Sequence, residues 1–293
     1  MKTVFEALKW ASSYLIEAGR DQNAAEILLT DQLNIDRSKL LASFHDVISE
    51  SDFLKFKKSV ELHRQGVPVQ YITGKESFYG REFSVNEHVL IPRPETEEVV
   101  EAVLSEAERV FPGTERLKAV DVGTGSGAIA VTLALESPRF SVTATDISEQ
   151  ALSTARHNAC RLGAKVDFIG GDLLEPLIKQ NKKADVIVSN PPYISEEDMR
   201  TLSDVVRLHE PAGALTDGAD GLQFYKRFMK EIPFVIGDKA LVVFEIGWTQ
   251  GSAVRDMFHR FFPDADVQVK KDLNGKDRIV CAAIEKGRMS PAQ

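Results

Sequence analysis

Apolar residues recur every three to four positions along the first 65 residues, a spacing that predicts short helices. In "VFEALKWASSYLIEAG" the positions Val4, Phe5, Leu8, Ala11 and Leu15 share one face, and Gly19 ends the run. "DQNAAEILLTDQL" offers Asp21 as an N-cap, and "SDFLKFKKSVELHRQG" offers Ser51 or Asp52 as a cap with Gly66 as a stop. Residues 1–66 therefore read as a small helical domain. Over residues 67–92 the period falls to two, as in "EFSVNEHVLIP", and with Gly74 and a turn near Gly80 this predicts a β-hairpin connector.

From residue 93 to 293 strands and helices alternate. Pro94 can open the helix "PRPETEEVVEAVLSEAERVF", because the N–H it lacks would be unpaired in a first turn anyway. The runs "LKAVDVG", "SVTATD", "KVDFIGGD", "ADVIVSN" and "KALVVFEIG" read as strands, and two more are expected near 266–271 and 277–284. Apolar strands separated by helices of 10–15 residues call for an α/β fold, a mostly parallel sheet covered on both faces. Such sheets bind ligands at the carboxyl ends of their strands, and the unusual residues of this chain fall there.

Composition narrows the classes. The chain has 293 residues, 43% hydrophobic and 27% charged, with neither repeats nor low-complexity runs, so solenoid and disordered readings fail. Two cysteines in unlike contexts, Cys160 and Cys281, argue against a disulfide framework or a zinc site, and no metal is expected. Glu6, Lys9 and Glu17 break any signal-peptide core, no run approaches membrane-spanning length, and the expected setting is the cytoplasm. The net charge is −8; residues 1–75 hold ten basic and ten acidic side chains, so the rest of the chain carries the whole excess. That sign disfavours a polynucleotide substrate.

"DVGTGSGAIA" sets Gly123, Thr124, Gly125, Ser126 and Gly127 between a strand and a helix, where glycines allow positive φ and close approach of a ligand. Asp146 ends the next strand, placed to accept both hydroxyl protons of a ribose. The loop also satisfies a dinucleotide fingerprint read as Gly123, Gly125, Ala128, so a nicotinamide oxidoreductase is a rival. Two residues favour S-adenosylmethionine. Asp121 would repel a diphosphate but attract an ammonium, directly or through water. Asp172, in "GGDLLE", suits an adenine amino group, with Leu173 beside the ring.

The stretch "DVIVSNPPYI" ends a strand on Asn190, Pro191, Pro192 and Tyr193. Proline disfavours αR in the residue before it, so Asn190 and Pro191 are held extended, and neither proline brings a competing N–H. This corner suits a planar NH₂ group. Resonance, the same that gives an amide its ~18–20 kcal/mol rotation barrier, makes such a nitrogen a poor nucleophile. It is also too weakly acidic for a side chain to deprotonate first. A protein can instead accept both N–H bonds and aim the lone pair at a methyl donor. The Asn190 side-chain oxygen and the Pro191 carbonyl are the expected acceptors, with the Tyr193 ring stacked on the planar group.

The segments "VLIPRPETEEVVE", "DVGTGSGAIAVTLA", "VSNPPYI", "EPAGALTDGADGL" and "FEIGWTQG" resemble the release-factor glutamine methyltransferases, the HemK/PrmC family, over about residues 68–285. The resemblance implies a Rossmann-like class I methyltransferase sheet whose last hairpin is antiparallel, joined to an N-terminal helical substrate-recognition domain. It implies methyl transfer from S-adenosylmethionine to the glutamine amide of the Gly-Gly-Gln motif in peptide chain release factors. By matching position, Gly123 to Gly127 and Asp146 would bind cofactor, Asn190 would touch cofactor and substrate, and Pro191, Pro192 and Tyr193 would hold the glutamine. The Asn-Pro-Pro-Tyr element alone is shared with adenine amino methyltransferases, so a DNA or RNA enzyme is the alternative, and a non-catalytic cofactor-binding scaffold a further one.

Arg93 and Glu95 could line the cofactor mouth or simply begin a helix. "SEEDMRTLSDVVRLHEPAGAL" reads as a lid. Glu245 and Trp248 read as completing the sheet edge. Lys55, Lys57 and Lys58 read as a solvated helix face.

Overall fold

A computed structural model describes residues 2–285. Residue 1 and residues 286–293, the ends of the two expected domains, lie outside the described residues. The described residues form two compact units, one of 2–75 with 202–210 and the other of 76–201 with 211–285.

The first unit is helical. Val4–Glu17, Ala24–Leu33 and Glu50–Arg64 bury Ala7, Ala11, Leu15, Leu28, Leu29 and Phe56 in one core. Thr3 and Glu6 form a reciprocal cap at the first of these helices. Two caps differ from the sequence reading. Asn23 and Ser49 are the N-caps, and Asp21 instead accepts the Asn23 N–H in a turn at 2.9 Å. The period of two begins later than expected, because Val69–Thr73 is a helix closed by Gly74 at φ 74°. Helix Asp204–His209 belongs to this unit, where the two terminal guanidinium nitrogens of Arg20 donate to the Asp204 carboxylate at 2.6 and 2.7 Å.

The second unit begins at Glu76, inside a hairpin of Lys75–Phe78 and Arg81–Ser84 whose two-residue turn holds Tyr79 and Gly80 at positive φ, matching the twist of paired strands. Its main sheet has seven strands: β1 (Leu117–Val122), β2 (Phe140–Asp146), β3 (Val166–Gly170), β4 (Ala184–Ser189), β5 (Ile236–Glu245), β6 (Asp266–Lys271) and β7 (Asp277–Glu285). The spatial order is β6-β7-β5-β4-β1-β2-β3. β1 to β5 run parallel, while β7 is antiparallel to both β5 and β6. Successive residues of the central strands enter opposite cores. Val186, Val188, Leu241 and Val243 join one cluster; Ile187, Val242 and Phe244 join the other. Burial on both faces explains why these strands read as unbroken apolar runs.

Strand order reverses between β1 and β4, and the Ser189 hydroxyl pins their ends together by donating to the Val122 carbonyl at 2.6 Å. A crevice opens at such a point. The segment after β4 is helical in pieces, Glu196–Met199 and Asp204–His209, capped by the Ser195 and Ser203 side chains, and Ala212–Leu215, which follows Pro211 without a side-chain cap. Ile194 N–H donates to the Leu215 carbonyl at 3.0 Å, so the excursion starts and ends at one place.

Candidate active site

A cavity of about 350 Å³ lies at the carboxyl ends of β1, β2 and β4, within the range of small-molecule sites. Ten expected residues line it: Gly123, Thr124, Gly125, Ser126, Asp146, Asp172, Leu173, Asn190, Pro191 and Pro192. Two do not reach its wall. Gly127, at φ 83°, begins the helix Ala128–Glu136, and a Cβ there would lie 3.1 Å from that of Ala155, so its small size serves close helix packing. Tyr193 packs against the core beside β4 and β5.

The glycine loop is held from both sides. Gly123 and Thr124 donate their N–H groups to the Thr145 carbonyl at 2.8 and 3.0 Å, and Gly125 donates to Asp146 Oδ2 at 2.9 Å. Gly125 sits at φ 55° with open space where a Cβ would be, so the backbone conformation, not crowding, demands glycine. Asn158, fully buried, donates to the carbonyls of Ser84 and Ser126, both at 2.9 Å, tying hairpin to loop. Asp146 also accepts the Ser148 N–H at 2.9 Å. Burial raises the Asp146 pKa, and the N–H groups of Ser148 and Gly125 oppose the rise. Asp172 is ion-paired through Oδ2 with Arg227 at 2.7 Å, which leaves Oδ1 for a ligand donor. Leu173 adopts φ 45°, and its carbonyl is fixed by the Thr145 hydroxyl at 3.1 Å.

Asp121 supplies an independent sign of a cationic ligand. It is buried, with Oδ2 accepting from Thr124 Oγ1 at 2.6 Å and from Ala130 N at 3.1 Å. Its Oδ1 has no hydrogen-bond partner among the described residues. Burial pushes the carboxyl up to about 7 against the pull of those two donors, with the Asp146 charge adding to the rise. An orphaned oxygen beneath the glycine loop suits the ammonium of S-adenosylmethionine, met directly or through water; the ribose and adenine acceptors line the cavity, while Asp121 lies behind its wall.

At the corner, Asn190 Nδ2 donates to Thr96 Oγ1 at 3.2 Å, and Thr96 Oγ1 donates to Glu245 Oε2 at 2.7 Å. The Tyr193 hydroxyl donates to Glu245 Oε1 at 3.1 Å. Burial raises the Glu245 pKa; the Thr96 hydroxyl, the Arg278 charge and the Tyr193 hydroxyl oppose it, and the Glu95 charge adds to it. Burial, foremost, raises that of Tyr193. Gln250 donates to the Tyr193 and Gly221 carbonyls at 2.9 and 3.1 Å, bracing the turn after the prolines.

Sequence reasoning misses Thr96 and misreads Glu245. Far from trimming the sheet edge, Glu245 is 1% exposed and joins the corner to "PRPETE". The signal available was an acidic residue ending an otherwise apolar strand, "ALVVFE", beside the one that ends in Asn190. Ile147 and Phe224, which also line the cavity, carry no sequence signal of their own.

Residues 6–74 match the PrmC N-terminal domain family, and residues 104–219 match the methyltransferase small domain family. The release factor glutamine methyltransferase of Bacillus subtilis is 64% identical over 288 residues, covering 98% of this chain and all of that protein. This chain belongs to the release factor glutamine methyltransferase family. The family member from Bacillus cereus is 52% identical over 282 residues, with 96% of this chain and 99% of that protein covered. A methyltransferase structure from Pyrococcus furiosus shares the fold, at a TM-score of 0.51 and 18% identity, over 72% of this chain and 91% of that one. Family membership removes the nicotinamide reading of the glycine loop, and the antiparallel placement of β7 agrees with a methyltransferase sheet.

Proposed function

We propose that the protein methylates the side-chain amide nitrogen of the glutamine in the Gly-Gly-Gln motif of peptide chain release factors, using S-adenosylmethionine. The observation that carries this is the meeting of Asn190, Pro191 and Pro192 with the glycine loop and Asp146 on one cavity wall. Curated relatives of nearly full length carry the name of this activity.

S-adenosylmethionine supplies an electrophilic methyl group on a sulfonium. Asp146 would hold the ribose hydroxyls, Asp121 the ammonium, and Asp172 with Leu173 the adenine. Asn190 Oδ1 and the Pro191 carbonyl accept the two N–H bonds of the glutamine amide, which orients the nitrogen and concentrates electron density on it. No base is required before attack. Once alkylated the nitrogen is cationic and strongly acidic, and its proton passes to water. Tyr193, bonded to Glu245, anchors the corner while Pro191 and Pro192 face the cavity.

The helical region 1–66 serves to dock the release factor, residues 67–92 connect, and residues 93–293, apart from the segment 202–210 that belongs to the helical unit, form the catalytic domain. The setting is the cytoplasm. No helix among the described residues is long and apolar enough to cross a membrane. The reading is tested by mass spectrometry of a release factor incubated with enzyme and cofactor. The expected result is one methyl group on the Gly-Gly-Gln glutamine. An unmodified factor alongside methylated DNA adenine would replace this reading with the nucleic-acid alternative.

A further inference from the structure

Thr96 lines the cavity and Glu245 lies behind it, and together they determine which way the Asn190 amide faces. An asparagine side chain presents an acceptor on one side and a donor on the other, and a half-turn exchanges them. Only one orientation serves a substrate NH₂, because that group brings hydrogens and needs an oxygen. What Asn190 meets on its other side therefore decides whether the corner works.

It meets the Thr96 hydroxyl, which has a single proton. That proton is committed to Glu245 Oε2 at 2.7 Å. Glu245 is engaged as an acceptor at both oxygens, since Oε1 also takes the Tyr193 hydroxyl at 3.1 Å. Thr96 Oγ1 can then only accept from Asn190, and the partner it accepts is Nδ2. The amide's remaining face towards the cavity is Oδ1. Polarity thus runs in one direction, from Asn190 to Thr96 to Glu245.

The burial of this relay fits such a role. Glu245 and Thr96 are 1% and 5% exposed. A buried carboxylate is costly unless its oxygens are satisfied, and replacement by apolar residues is often neutral or stabilising. An acidic residue at the end of β5 is hard to explain by sheet stability alone. Its partners, Thr96 in the first turn of helix Pro94–Val110 and Tyr193 beyond the end of β4, lie 149 and 52 residues away in sequence.

The geometry points to Thr96 and Glu245 as positioning residues that lock Asn190 with Oδ1 turned to the methyl acceptor. This deepens the proposed amide methylation and rests on it.

The test is Thr96→Val, which keeps the branched shape and removes the hydroxyl, paired with Thr96→Ser, which keeps the hydroxyl. Turnover on an intact release factor is measured at saturating cofactor, with S-adenosylhomocysteine affinity and melting temperature recorded for each protein. The relay predicts that T96V lowers kcat about tenfold, the order expected for losing one ordering hydrogen bond, with product affinity within about twofold of wild type. T96S should restore kcat to within about threefold of wild type. A merely structural threonine would lower stability in T96V while leaving kcat per folded enzyme unchanged. T96V with near-normal kcat, or T96S as impaired as T96V, overturns the relay while wild type is active. A wild-type enzyme that methylates no glutamine overturns the proposed reaction, and the relay's purpose with it.

Discussion

Replacing Asp121 with asparagine isolates what a buried carboxylate at the exit of β1 costs and what it is for. The side chain is 1% exposed, one oxygen is satisfied by Thr124 and Ala130, and the other is orphaned. Asparagine keeps the shape and both of those bonds while removing the charge. The carboxyl titrates at about 7 in the folded protein against an ordinary value of 3.8. Between those values the folded state holds more protons than the unfolded one, so stability falls as pH rises through the window. At about 1.4 kcal/mol per pH unit, the loss reaches about 4 kcal/mol by pH 8. Wild type and D121N, both free of cofactor, should therefore be closest in stability near pH 4 and furthest apart at pH 8, with the variant the more stable. Urea unfolding of the pair across that range reads the difference directly, since every other group titrates in both proteins. Calorimetry with S-adenosylhomocysteine completes the test. Loss of a charged contact to the ammonium should weaken binding by about tenfold or more. A stability difference that ignores pH would refute the buried-charge reasoning, and unchanged affinity would refute the ammonium assignment.

Asn190→Ala should lower kcat by about 10²-fold, the scale of losing a preorganised polar contact at a reacting group; near-normal turnover in single-turnover assays would exclude it from the chemistry. Arg20→Ala removes the fork on Asp204 and should speed limited proteolysis within residues 202–210, with cleavage at the wild-type rate showing that other contacts hold the segment. Deleting residues 1–65 should raise KM for an intact release factor and leave S-adenosylhomocysteine affinity unchanged. Kinetics identical to the full chain would remove the docking role.

The sheet is legible in the sequence because the central strands β4 and β5 are apolar on both faces and the strand ends are punctuated by glycine, proline or an acidic residue. The cofactor wall is legible for a related reason: Gly123 and Gly125 act through their own backbone, and Asp146 ends the next strand. Helix Val69–Thr73 is hidden by its length, since five residues cannot display a 3.6 period. Gly127 shares the motif of its neighbours, and only the Ala155 contact separates packing from ligand approach. Tyr193 reads as a stacking residue, and the bond from its hydroxyl to Glu245 carries no sequence signal. That link, and the one through Thr96, joins residues far apart in sequence, where no local pattern carries information. The placement of residues 202–210 with the helical unit is invisible for the same reason, as it depends on pairing Arg20 with Asp204.

The account depends on the Asn190 corner presenting an oxygen to a flat NH₂ in front of the cofactor's sulfur. Its most direct test is a crystal structure of the enzyme with S-adenosylhomocysteine and a release-factor domain bearing the Gly-Gly-Gln loop. The expected result is the glutamine amide nitrogen about 3 Å from both Asn190 Oδ1 and the Pro191 carbonyl, with the sulfur facing that nitrogen. A sulfur directed away from Asn190, or a glutamine that never reaches Pro191, would contradict it.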